Sequence, residues 1–281
     1  MDTQTDNRRS LVPPLATAIT LLVIAGLSGC DAFAPADPAA APSAATPAPE
    51  SDGTVASDQK VSSTQGLFAG PLNDEDWFGQ SIGAPGDLDG DNVPDLLVGA
   101  TEDDDGGEDQ GAVWILYLNP DGTVRGQTKV SELAGGFTGM LSKNDNFGAS
   151  VAGVGDIDRD GAIDIVVGSP DYEIGAASIS RGAVGVLFLN DDGTLKSHQR
   201  IDDSAGAFSG MLDNGDKFGA SIAEIGYLDG DGTTDIAVGA WGDDDGGFNR
   251  GAIGVLYLTD DGNVKSHTKI SDIAGGFGGG S

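Results

Sequence analysis

One cysteine in 281 residues leaves no partner for an intramolecular disulfide. Two histidines and that single thiol provide neither a His-rich metal set nor a thiol nucleophile with a neighbouring base. There is no Gly-x-Ser-x-Gly elbow and no phosphate-binding glycine loop. Basic residues are scarce. Only 14 Lys and Arg stand against 45 Asp and Glu, and the resulting net charge of −31 repels nucleic acid and anionic lipid. Trp77, Trp114 and Trp241 fall at unrelated positions, so they predict no aromatic cage. The apolar run from Leu15 to Leu27 is too short to span a bilayer. From residue 60 onward no helical periodicity competes with short β-type runs.

What the chain has in abundance is an acidic loop, written three times. The copies are Asp87-Leu-Asp89-Gly-Asp91-Asn-Val93-Pro-Asp95, Asp156-Ile-Asp158-Arg-Asp160-Gly-Ala162-Ile-Asp164 and Tyr227-Leu-Asp229-Gly-Asp231-Gly-Thr233-Thr-Asp235. Carboxylates at positions 1, 3, 5 and 9, with a backbone carbonyl at position 7, suit a hard cation that takes six to eight oxygens, which is the preference of Ca2+. The third copy has Tyr227 at position 1 and so predicts a weaker site. Position 12 is Val98, Val167 or Val238, where an EF-hand needs a bidentate Glu, so a structural ion is expected rather than a calcium-driven helix opening. Crowded carboxylates repel one another without metal, which couples metal binding to stability.

The loops belong to a longer repeat. Phe78-Gly79-Gln80-Ser81 returns as Phe147-Gly148-Ala149-Ser150 and Phe218-Gly219-Ala220-Ser221, at steps of 69 and 71 residues. Asp76, Asp145 and Asp216 stand two places before each Phe. Apolar runs ending at Gly99, Gly168 and Gly239 follow the acidic loops, and runs opening at Gly111, Gly182 and Gly251 come next. Each of these is closed by Asp-Gly, at Asp121, Asp192 and Asp261. Short runs rich in Val, Ile and Leu, cut by Asp-Gly, predict strands joined by tight hairpins. Four such strands make one propeller blade. The expected fold is all-β, with three blades of four antiparallel strands.

Phe-Gly, the acidic loop, Val-Gly-Ala or Val-Gly-Ser-Pro, and Gly-Ala-Val together resemble the FG-GAP repeat, which builds the β-propeller head of integrin α-chains and many bacterial surface proteins. The resemblance runs from about residue 60 to residue 281. It implies a calcium ion in each loop between the first two strands of a blade, held by Asp87, Asp89, Asp91 and Asp95, by Asp156, Asp158, Asp160 and Asp164, and by Asp229, Asp231 and Asp235. The repeats divide at about 60–128, 129–199 and 200–268, with the opening of a fourth at 269–281. Three units and part of a fourth are read as a segment of a longer array, whose open blade faces are expected to self-associate.

The N-terminus resembles a bacterial lipoprotein leader. Arg8-Arg9, the apolar run and Leu27-Ser28-Gly29-Cys30 form a signal peptide over 1–29, with Cys30 as the lipid-carrying first residue. Residues 30–59, dominated by Ala, Pro, Ser and Asp, predict a disordered linker reaching up to about 90 Å. The expected protein is extracytoplasmic, anchored to the cell-envelope membrane only by lipid, and binds a protein or glycan ligand. An exported polysaccharide-acting enzyme on a propeller scaffold and a purely structural surface array are the alternatives. Three further features have plain readings. The acidic runs Glu102–Asp109 and Gly242–Gly247 read as solvated loops, His198 and His267 as repeat-locked surface or turn positions, and Arg181 and Arg250 as partners in strand-end ion pairs.

Overall fold

Asp-Gly turns and β-branched runs cut this chain into twelve strands. The structure, a computed structural model, describes Val55 and residues 57–139, 141–173 and 180–276. The chain divides between Thr54 and Val55, and all described residues lie in the second unit. Cys30, the 1–29 leader, the linker up to Thr54 and the end of the chain from Phe277 lie outside the described residues. Among the described residues, no helix is long and apolar enough to cross a membrane.

The strands are β1 (Phe78–Gly86), β2 (Asp95–Ala100), β3 (Ala112–Leu118) and β4 (Val124–Val130), then β5 (Ser150–Gly155), β6 (Asp164–Ser169), β7 (Ala183–Leu189) and β8 (Leu195–Ile201), then β9 (Phe218–Gly226), β10 (Asp235–Ala240), β11 (Ala252–Leu258) and β12 (Val264–Ile270). They form three four-stranded antiparallel sheets, each a meander in chain order, as blades of a propeller would be. The hairpin between the third and fourth strands is set by its Asp-Gly pair. Gly122 sits at φ +79°, and Asp121 Oδ1 accepts from the Thr123 amide at 3.0 Å and the Thr123 hydroxyl at 2.6 Å. Asp192 and Thr194 repeat that arrangement in the second blade.

Side chains alternate across each sheet and feed two different cores. In β3, Val113, Ile115 and Tyr117 face the second blade, whereas Trp114 and Leu116 join a cluster with Phe68 on the other side. In β7, Val184, Val186 and Phe188 pack toward the third blade, and Leu187 points back to the first. The segment before each blade adds a wedge. Phe68, Phe137 and Phe208 lie 5.0, 5.0 and 5.3 Å from Phe78, Phe147 and Phe218, the aromatics of the Phe-Gly pairs.

A serine latch joins neighbouring blades, and it occurs twice. The Ser81 hydroxyl donates to the Gly148 carbonyl at 2.7 Å, and the Ser150 hydroxyl donates to that of Gly219 at 2.7 Å. The same carbonyls press on Gly99 and Gly168, where a Cβ would lie 2.0 and 1.9 Å from them. Only glycine admits this approach. At the third blade the latch has no counterpart among the described residues: around Gly239 the nearest atoms belong to its own blade's Ser221. Ile253 is accordingly 47% exposed, whereas its equivalents Val113 and Val184 are fully buried. At the opposite end Ile82 is 68% exposed, against 7% for its equivalent Val151.

Candidate cation sites

Each acidic loop bridges the first two strands of its blade and is pinned by its position 9 aspartate. Asp95 is buried, and its two oxygens accept from the Leu88 and Leu118 amides at 2.8 and 3.0 Å. Asp164 does the same with Ile157 and Leu189 at 2.9 and 3.0 Å, and Asp235 with Leu228 and Leu258 at 2.8 and 3.1 Å. One carboxylate thus ties the start of the loop to the end of the third strand. Burial raises the Asp95 carboxyl above its ordinary range and pushes Asp164 up to about 6, because desolvation outweighs the amide hydrogen bonds.

Position 1 shapes the turn. The Asp87 carboxylate accepts from the amides of Gly90, Asp91 and Asn92 at 2.8, 3.1 and 2.7 Å. Asp156 accepts from Asp160 and Gly161, both at 3.0 Å. The position 7 residues Val93, Ala162 and Thr233 donate their amides to the position 5 carboxylates of Asp91, Asp160 and Asp231 at 2.8, 2.9 and 2.8 Å.

In the first two loops positions 1, 3 and 9 converge. Carboxylate oxygens of Asp87, Asp89 and Asp95 lie within 4.8 Å of one another, and so do those of Asp156, Asp158 and Asp164. Asp89 Oδ1 and Asp158 Oδ1 are buried without a hydrogen-bond partner. A buried oxygen left without a donor costs about 1–3 kcal/mol, more when charged. Each is therefore an oxygen that a cation would satisfy, and the donor set fits a hard divalent ion. In the third loop no such trio forms among the described residues. Tyr227 is exposed, and the first oxygen of Asp229 accepts the Asp231 amide at 3.1 Å.

Position 5 stands apart from the trio. Asp91 Oδ2 pairs with Arg125 at 2.9 Å, and Arg125 also holds Asp89 Oδ2. Lys196 lies 2.7 Å from Asp158 and 2.5 Å from Asp160. Lys265 lies 2.5 Å from both Asp229 and Asp231. Hydrogen bonds from these lysines hold Asp160 and Asp231 below the usual carboxylate range, and the lysines are raised in turn. The ion-pairing residues did not figure among the expected site residues. Their signal in the sequence is a basic residue three places after each hairpin Gly, at Arg125, Lys196 and Lys265.

The second acidic stretch departs from its reading as a solvated loop. Asp103 and Asp243 are buried, and each meets a lysine from the last strand: Lys129 lies 2.8 Å from Asp103, and Lys269 lies 2.5 Å from Asp243. Runs of like charge look solvated in sequence because the partner lies 26 residues away. The arginine readings agree with the structure, whereas His198 and His267 lie half-buried within β8 and β12 rather than at a turn or on the open surface. Arg181 pairs with Asp203 and Arg250 with Asp272, while His198 and His267 pack on Phe137 and Phe208.

Comparison with known proteins points to one repeat type. A model described as "FG-GAP repeat" matches residues 78–116, the stretch that holds β1, the first acidic loop, β2 and most of β3. Integrin alpha-2 of Bos taurus is 33% identical over 170 residues, covering 59% of this chain and 13% of the integrin. Integrin alpha-PS5 of Drosophila melanogaster is 32% identical, covering 59% and 15%, and integrin alpha-4 of Xenopus laevis is 31% identical, covering 59% and 14%. Residues 78–116 match the FG-GAP repeat, the chain is similar over 59% of its length to integrin alpha chains, and it spans about one seventh of the length of these relatives.

Proposed function

We propose that this chain is a calcium-stabilised FG-GAP module that binds a protein or glycan ligand outside the cytoplasm, held at the membrane by lipid on Cys30. The observation that carries the calcium reading is the buried, unpartnered Oδ1 of Asp89 and of Asp158, two residues whose carboxylates each converge with two others. Asp87 and Asp156 would hold the ion from pre-set turns, Asp89 and Asp158 would supply the free oxygen, and Asp95 and Asp164 would fix the far side. Bound calcium supplies positive charge that relieves the repulsion among them. The loops join the first two strands of a blade, so the ion's work is to stiffen the strand that faces the neighbouring blade. A binding module is favoured over an enzyme by the similarity to integrin alpha chains. The leader-like N-terminus and the net charge of −31 support an exported protein without nucleic-acid partners.

Thermal unfolding of the purified chain in Ca2+, in Mg2+ and in chelator tests the metal. At a hundredfold excess over the dissociation constant, two sites should raise the midpoint by roughly 10–20 °C, and Mg2+ should do much less. Equal midpoints in all three conditions would exclude calcium. Asp89→Ala should abolish much of the calcium-dependent rise, while Asp231→Ala should leave most of it. For the anchor, Cys30→Ser should move the protein from the membrane fraction to the soluble one. For the ligand, retention on immobilised glycans or surface proteins without turnover separates a binding module from a polysaccharide-acting enzyme.

A further inference from the structure

We propose that Arg125, Lys196 and Lys265 are built-in counter-ions of the acidic loops: Lys265 stands in for the metal in the third loop, and Arg125 and Lys196 oppose calcium in the first two. The inference rests on the calcium reading given above for the first and second loops. Its basis is the division of labour among oxygens. In the second loop Asp158 converges with Asp156 and Asp164, its Oδ1 is buried without a partner, and its Oδ2 lies 2.7 Å from Lys196. Asp160 spends one oxygen on the Ala162 amide and the other on Lys196. The first loop repeats this with Arg125 on Asp89 and Asp91. A calcium ion that drew in position 5 would have to take an oxygen from the basic side chain. One that used only positions 1, 3 and 9 would sit a few ångströms from a fixed positive charge. Either way the neighbouring cation lowers calcium affinity.

The third loop has gone further along the same line. Position 1 is Tyr227, and the trio found in the other loops is not assembled there. Every carboxylate oxygen of Asp229, Asp231 and Asp235 has a described partner: the amides of Leu228, Asp229, Asp231, Thr233 and Leu258, or the Lys265 ammonium. No orphaned oxygen asks for an ion. An ammonium with three donors between two carboxylates supplies charge and hydrogen bonds together, and it is covalently present at any calcium concentration. The residue is at the same point of each blade, the second position of β4, β8 and β12. That strand therefore reports to the loop at the far side of its own sheet.

The test uses the full chain with Lys196→Met, Lys265→Met and the double variant Tyr227→Asp/Lys265→Met. Calcium stoichiometry and affinity are read by isothermal titration, and the thermal midpoint is read in chelator. The expected result is two ions bound by the parent chain and, in Lys196→Met, one of them held about tenfold more tightly. Lys265→Met should still bind two ions and should melt several degrees lower in chelator, with no extra recovery in calcium. The double variant should bind a third ion. Unchanged or weaker binding in Lys196→Met overturns the proposal while leaving the calcium reading intact. Binding by Lys196→Met but not by the parent chain supports the proposal and removes calcium from the native protein. If no variant binds calcium, both fall. An unchanged metal-free midpoint in Lys265→Met also overturns the proposal.

Discussion

Asp145 is wholly buried two residues before its Phe-Gly pair, with its oxygens on the amides of Ser142 and Glu173 at 2.5 and 3.2 Å. Burial, aided by the nearby charges of Glu173 and Asp171, pushes its carboxyl up to about 7. A raised carboxyl binds its proton more tightly in the folded chain than in the unfolded one. Its stabilising contribution is therefore complete below about pH 4 and is lost as pH rises to about 7. Thermal midpoints measured across that window should fall more steeply for the native chain than for Asp145→Asn, which carries no titrating group. The variant should be offset downward throughout, because its amide group opposes one backbone donor. Parallel curves would show that Asp145 does not titrate there. The carboxylates that converge in the first two acidic loops were legible at this scale because they are written at fixed spacing in one short stretch. Asp145 was legible only as a recurring letter, since its burial depends on a neighbouring segment. Arg125, Lys196 and Lys265 were not singled out, because they reach their loops across 34 to 38 residues.

At the scale of strands, the blade latch makes two glycines of equal sequence unequal. A Cβ at Gly168 would stand 1.9 Å from the Gly219 carbonyl, which belongs to the first strand of the next blade. Gly168→Ala should lower stability by about 3 kcal/mol, the upper range for overpacking, because backbone must move. Gly239→Ala meets only the Ser221 hydroxyl at 2.2 Å, and that side chain can rotate, so its cost should stay below about 1 kcal/mol. Chemical denaturation of the two variants checks this, and equal losses would contradict the latch. The strands were readable from alternation and turn chemistry, since both are local. The latch was not, because Val-Gly reads as an ordinary strand end until another blade's carbonyl lies on it.

For the whole molecule, the exposed Ile253 at one end and Ile82 at the other are the two halves of a contact that is filled twice inside the chain. Light scattering should show mass rising with protein concentration, and Ile253→Arg should hold the chain closer to monomer without lowering its thermal midpoint. A monodisperse monomer at all concentrations for the parent chain would rule this out. The latch also bears on how such a molecule changes length over generations. Ser81 with Gly148 and Ser150 with Gly219 are the same bond between the same residue types. A gene duplication or deletion of one period, 69 or 71 codons as the chain stands, therefore leaves every surviving junction with a partner it already fits. Copy number is free to drift while the chemistry of contact stays constant.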